Sequence, residues 1–194
     1  MIRFEAETHS YYLGGVKVPS VTEIMARGGM FNFANVDEGV MERAKSFGSA
    51  IHLACQFSDL NCLDENLLDN NLLPYLNAWK KFKKDFKLEF EGENIERVVY
   101  SKRLQYAGTE DRKVKVSGKW WLLDIKSSAT LAPSTGVQLA GYQIAEEEMS
   151  GDRIKHCVGV QLKPNGWYSV KTYDKPNHRE KFLSLLSIKE GVKI

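Results

Sequence analysis

Cysteine is scarce in this chain. Three are present, Cys55, Cys62 and Cys157, an odd number with no CxxC pair. That argues against a disulfide framework and a four-thiolate metal site, and it fits a reducing compartment. Long apolar runs are absent too. No stretch approaches the roughly 18 apolar residues of a membrane span, and the opening MIRFEAETHSYY has no apolar signal-peptide region. The expectation is a soluble, cytoplasmic protein with no membrane partner. Neither sign of charge is in excess: 27 Lys and Arg against 25 Asp and Glu leave +2. Any nucleic-acid surface must therefore be a local patch. Repeats, low-complexity tracts and Pro/Gly/Ser linkers are missing as well. The 194 residues, 43% hydrophobic, are expected to form a single domain over 1–194 with one substantial core.

The pattern along the chain predicts helices first and a sheet second. Residues 3–18 read as a hairpin turning at LGG, 13–15. Ser20 followed by Glu23 is a capping-box signature for a helix ending at Gly28-Gly29. A longer helix is expected over 36–57, capped by Asn35. After an acidic loop at 58–70, a third helix tolerates Pro74 only in its first turn; its Tyr75, Trp79, Phe82 and Phe86 fall at helical spacing. Strands are expected at 93–101, 103–107, 111–117 and 119–125, a helix at 138–149, a hairpin of 154–163 with 167–173, and a closing helix at 177–190. The fold class is α/β or α+β: a mainly helical part over 1–90, then a sheet core over 91–194.

The stretch WWLLDIKSS, 120–128, reads as a buried strand that ends in charge. Ser117-Gly118 is a two-residue hairpin turn, which pairs positions summing to 235. Asp111 and Asp124 meet that sum, so the turn sets two carboxylates opposite each other. Like charges so placed repel unless a cation lies between them or one is protonated. Lys126, two residues beyond Asp124, shares its face. Three charges at the edge of an apolar strand are costly unless used or neutralised. Hard carboxylate oxygens suit Mg2+ or Mn2+, and the lysine could hold or help deprotonate a metal-bound water. The plainer alternative is an ion pair at a strand end with a second acid nearby by chance.

Five segments in order resemble the PD-(D/E)XK nuclease superfamily, in its RecB-like branch of phage recombination and mitochondrial genome-maintenance exonucleases. They are HSYYLGGVKVPSVTEIM (9–25), FGSAIH (47–52), YAGTED (106–111), LLDIKSS (122–128) and QLAGY (138–142). The resemblance implies a restriction-endonuclease-like mixed sheet flanked by helices, with N-terminal helices over the active site. It implies metal ligation by Asp111, Asp124 and the Ile125 carbonyl, water orientation by Lys126, and a further ligand from His52, with Gly48 letting that helix approach closely. Glu96, with Glu93 behind it, is the choice for the acid that completes the metal sphere. Gln138 and Tyr142 would contact the nucleic-acid backbone or brace the site. One or two Mg2+ or Mn2+ ions are implied. Three scattered cysteines argue against an iron–sulfur cluster, and the absence of a Walker A motif against a nucleotide cofactor.

The expected activity is that of a metal-dependent DNA exonuclease in recombination, repair or replication. The setting would be a bacterial or phage-infected cell, with a single-strand-annealing or recombination protein as a partner. The alternatives are an endonuclease of the same fold, an inactive nucleic-acid-binding module, and a hydrolase of smaller phosphate esters. Further nucleic-acid contacts are sought in Ser20 and Thr22, otherwise a helix cap, and in Lys80, Lys83 and Lys84, otherwise a solvated helix face. Trp120 and Trp121 point to opposite sides of their strand, so at least one is expected to be buried.

Overall fold

The structure is a computed structural model that describes residues 1–31 and 37–188. The chain opens with a three-stranded meander, β1 (Ile2–Glu5), β2 (Ser10–Leu13) and β3 (Val16–Val18). The expected single hairpin is thus the second half of a small sheet, and Gly14-Gly15, both at positive φ, make its turn. Helix α1 (Val21–Arg27) carries the expected capping box: Glu23 N–H donates to Ser20 Oγ at 3.0 Å, and Ser20 N–H donates to the Glu23 carboxylate at 2.6 Å.

Helix α2 runs Glu38–Asp59 with Asp37 as its cap; Asn35, the expected cap, lies outside the described residues. A 3-10 turn at Glu65–Leu67 interrupts the acidic loop. Helix α3 (Leu73–Phe86) has Pro74 in its first turn. The main sheet follows as β4 (Glu89–Ser101), β5 (Tyr106–Val116) and β6 (Lys119–Lys126), then α4 (Pro133–Ser150), β7 (Ile154–Leu162), β8 (Tyr168–Thr172) and α5 (Asn177–Leu186). The segments expected as separate strands at 103–107 and 111–117 are one strand, because nothing between them breaks the pairing with β4.

The sheet order is β4-β5-β6-β7-β8, with β6 and β7 parallel and the other neighbours antiparallel. The crossover between the parallel pair is α4, the connection a parallel pair requires. This is a mixed sheet flanked by helices, a restriction-endonuclease-like arrangement. Among the described residues, no helix is long and apolar enough to cross a membrane.

Both faces of the sheet are covered, which explains the unbroken apolar run of β6. Leu122 packs with Val99, Tyr106, Tyr142, Ala145 and Phe182 under α4 and α5. Leu123 and Ile125 pack with Ile51, Trp79, Phe82 and Val158 under α2 and α3. Trp120 joins the first cluster and Trp121 the second, each only half-buried, so neither tryptophan is the fully buried one expected. The α2 and α3 helices thus cover one face, and α4 covers the face that Asp124 and Lys126 share with Leu122.

Beside α4 lies a buried polar cluster apart from the acids singled out above. Lys113 Nζ reaches Glu146 at 2.5 Å and Asp152 at 2.6 Å. Glu110, wholly buried, has no hydrogen-bond partner for either carboxylate oxygen. Burial, reinforced by Glu146, raises its pKa well above the carboxyl range. A carboxyl with a raised native pKa costs nothing below its unfolded pKa, and its cost grows as pH rises from there to the native value. Glu110→Gln is therefore expected to match the native protein near pH 4. Above that it should gain on the native protein by about 1.4 kcal/mol per pH unit across the window. Urea unfolding at a series of pH values measures this, and parallel pH profiles for the two proteins would contradict it.

Candidate active site

The β5–β6 hairpin has the register counted from its turn. Every ladder pair from Val116↔Lys119 to Arg112↔Leu123 sums to 235. The ladder stops one pair short of Asp111 and Asp124. There β6 continues beside β7, with Asp124 paired to Gly159, and the Asp111 carboxylate accepts the Ile125 N–H at 2.6 Å. The side chain of Asp111 thus terminates the ladder and fixes itself beside the end of β6.

On the other side of β5, Glu96 lies between the pairs Ile95↔Arg112 and Arg97↔Glu110. It therefore stands level with Asp111 on the neighbouring strand. Its φ is 50°, the left-handed region, and a register shift precedes it. Such a backbone costs roughly 1–3 kcal/mol and persists only where its surroundings impose it. The restraint here is Arg112, whose guanidinium donates to Glu96 Oε1 at 2.8 Å.

Helix α2 contributes His52. Its Nε2 lies 2.9 Å from the Ile125 carbonyl oxygen, and its Nδ1 lies 3.6 Å from Asp111 and 3.9 Å from Glu96. Burial lowers its affinity for a proton, but Asp111 and Glu96 outweigh that and raise its pKa to about 9. Gly48, expected to allow close approach of α2, is not needed for that. A Cβ there would meet only the Ser127 hydroxyl at 3.6 Å, an ordinary contact.

Asp124 is almost fully buried, and Lys126 Nζ lies 3.0 Å and 2.8 Å from its two oxygens. Burial lifts its pKa to about 6; Lys126 opposes the rise and Asp111 adds to it. The lysine also donates to Gln138 Oε1 at 3.2 Å, and Gln138 in turn donates to the Tyr142 hydroxyl at 3.1 Å. Tyr142 comes this close to β5 because residue 108 is glycine: a Cβ there would lie 2.6 Å from its ring. Burial disfavours the charged form of Lys126, but Asp124 and Asp111 outweigh it and raise its pKa. In this arrangement the lysine is held as an ammonium donor between Asp124 and Gln138.

His52, Glu96 and Asp111 each place a ligand atom so that all three lie within 4.8 Å of one another. The set fits a divalent cation: two carboxylates and an imidazole, with a buried Asp124 oxygen that lacks an aligned hydrogen-bond donor beside them. Asp124 itself sits with Lys126 and outside this trio, and Glu93 is exposed and does not belong to it.

Other candidates lie further off. Ser20 and Thr22 border a cavity next to Glu96 and Asp111, but their hydroxyls bond each other at 3.1 Å and Ser20 caps α1. Lys80 pairs with Glu65 and Lys83 with Asp59, while Lys84 is exposed. None of the three stands among the acids.

Two residues at the site escape sequence reasoning. Arg112, fully buried, binds Asp59 through Nε at 2.7 Å as well as Glu96. Asp59 also accepts from Trp79 and Lys83, at 2.9 Å and 2.6 Å. A charged residue two before Val114 in an apolar strand must be paired somewhere, but nothing local says that the partner ends α2.

Comparison with known proteins bears on the fold. No family model matches the chain, and no curated protein does. A solved structure from Eubacterium rectale, a "putative exonuclease", aligns with 89% of this chain and 71% of its own at 10% identity and a TM-score of 0.52. A likeness at that identity shows a shared fold. A second structure, SSO0001, aligns with 85% of this chain and 80% of its own at 13% identity, but its TM-score of 0.36 carries no argument.

Two outcomes are expected. Asp111→Asn and Glu96→Gln each weaken Mn2+ binding about tenfold or more, read by paramagnetic resonance of the free ion. Unchanged affinity in both would remove the trio as a metal site. Asp59→Ala removes one of the two carboxylates paired with the buried Arg112, along with the acceptor of Trp79 and Lys83, and lowers stability by about 3–5 kcal/mol in urea unfolding; a loss below about 1 kcal/mol would show that the pair is dispensable.

Proposed function

We propose that the protein is a metal-dependent nuclease that hydrolyses DNA from a free end. One observation carries the reading. Three adjacent strands and one helix deliver Glu96, Asp111, Asp124, Lys126 and His52 to a single place at the end of β6. Two independent pieces of local chemistry hold them there, the Arg112 bond to Glu96 and the Gln138 bond to Lys126. That the E. rectale protein sharing this fold bears the name of an exonuclease supports the same reading.

His52, Glu96 and Asp111 would hold the cation, with Asp124 and the Ile125 carbonyl at its margin. A bound divalent ion supplies a water of lowered pKa and neutralises charge on a phosphoryl oxygen. The chain's own residues do the positioning. Asp124 and Gln138 fix the Lys126 ammonium from two sides, so it can donate to an attacking water or to a phosphoryl oxygen as charge develops there. Asp111, anchored on the Ile125 N–H, keeps β5 and β6 at fixed separation while it serves as a ligand. Glu96 is held against Arg112 and cannot swing away. Gln138 and Tyr142 act on this reading as braces of the lysine more than as contacts to the DNA backbone. Mg2+ and Mn2+ are the ions that the donor set suits, and DNA recombination, repair or replication is the setting that the resemblance implies.

The test is digestion of end-labelled linear DNA and closed circles, single- and double-stranded, with Mg2+, Mn2+ or chelator. Linear DNA is expected to be degraded only with metal, circles to survive, and Lys126→Ala to lose about 10²–10³-fold in rate. Equal nicking of circles would make the enzyme an endonuclease. Binding of DNA without cutting would leave only a binding module.

A further inference from the structure

Hydrolysis at a phosphate accounts for the acids, but not for the cavity beside them. That cavity has a volume of about 420 Å³, and Glu96 and Asp111 stand at its edge. Phe4, His9 and Tyr11 of the N-terminal meander form another part of its wall. Pockets of this size enclose small organic groups. No lysine or arginine lines it among the described residues, so it is unsuited to a phosphate of its own.

The aromatic wall is built as a unit. Phe4 and Tyr11 stack at 4.9 Å with 29° between their planes, and His9 meets both edge-on, at 5.2 Å and 5.6 Å. The Tyr11 hydroxyl lies 2.8 Å from Thr109 Oγ1 and 3.3 Å from His9 Nε2. Thr109 is two residues before Asp111 on β5, so the wall is keyed to the strand that carries a site acid. The meander is further tied to β5 where Ala107 N–H donates to the Pro19 carbonyl at 3.0 Å.

His9 is the telling residue. It closes the turn between β1 and β2 at φ 47°, donating its N–H to the Ala6 carbonyl at 3.3 Å, and it is exposed. An exposed ring beside a second, half-buried one is surface that a planar ligand can cover.

We infer that this cavity seats the nucleobase of the nucleotide adjoining the cut phosphodiester, stacked on the His9 ring with Phe4, which stands at 87° to it, against the edge of the base. The inference rests on the nuclease reading above and adds to it where the neighbouring base goes. Stacking on aromatic faces is tolerant of sequence, so the site should sense that a base is present and not which base it is.

The experiment compares oligodeoxynucleotides that carry a natural or an abasic nucleotide at the attacked end. The native protein is expected to favour the natural end about tenfold, chiefly through KM, and to vary about threefold or less among the four bases. His9→Ala, and Phe4→Leu, which keeps apolar volume, should each bring that ratio towards one, and His9→Tyr should restore it. A native protein indifferent to the abasic end, or variants that slow both substrates alike, would overturn the inference. Should no DNA be cut at all, the nuclease reading fails by itself. The cavity is then judged by fluorescence of 2-aminopurine placed at each oligonucleotide end in Ca2+. Quenching by the native protein that is lost in His9→Ala upholds the stacking site, and equal quenching in both rejects it.

Discussion

The buried guanidinium of Arg112 is the constraint on which the rest of this structure turns. It joins Asp59 at the end of α2 and Glu96 on β4, 53 and 16 positions away, to the carbonyl of its neighbour Asp111 on β5. Desolvating an arginine and two carboxylates is expensive, and such a network is seldom retained for stability alone. What it provides here is position. The bond to Asp59 sets where α2 ends against the sheet, and α2 carries His52. The bond to Glu96 holds a left-handed residue in place, level with Asp111. Of the three residues that could hold a metal, Glu96 is bonded to Arg112 directly, and His52 lies on the helix whose end Arg112 binds through Asp59.

The second constraint is the point where β6 changes partners. Over Lys119–Leu123 it pairs antiparallel with β5; past that point only the parallel pairing with β7 remains. A strand losing one ladder exposes backbone donors that must be satisfied. The Asp111 carboxylate satisfies one of them, at Ile125. The vacated edge is also where Asp124 and Lys126 emerge under α4, opposite the face where Leu123 and Ile125 pack on α2 and α3. The apolar strand and its charged end are therefore two aspects of one topology: both faces are covered up to the point where the ladder opens.

Much of this was legible in the sequence, and the division is physical. Asp111, Asp124 and Lys126 could be aligned because a two-residue turn and a period of two are local rules, and the five observed pairs obey them. The capping box of α1 is local for the same reason. The first sheet was read one strand short because β1 and β2 are joined by a longer connection with no turn dipeptide. Arg112 and Asp59 were not legible, since their pairing spans 53 positions and nothing near either residue announces the other. The positive φ of Glu96 was equally hidden, because no turn residue marks the register shift that precedes it. The partners of the α3 lysines were hidden for a related reason: a basic helix face looks the same whether its charges meet solvent, Glu65 or Asp59.

Charge balance ties these observations together. Each carboxylate at the site faces a cation: Glu96 has Arg112 and, at 3.9 Å, His52; Asp124 has Lys126; and Asp111 has His52. The three cations are not equivalent. An arginine keeps its charge, and Lys126 is held in its charged form by two acids. Histidine is the side chain that changes charge near physiological pH, and its pKa here is about 9, high because of Asp111 and Glu96 and not because of its own exposure. A divalent cation held between those same two acids would compete for the charges that raise it, and His52 in its neutral form would be the third residue to hold the ion. The arrangement is thus one in which the acids stay compensated without a metal, and in which the compensating group is the one chemically able to give way.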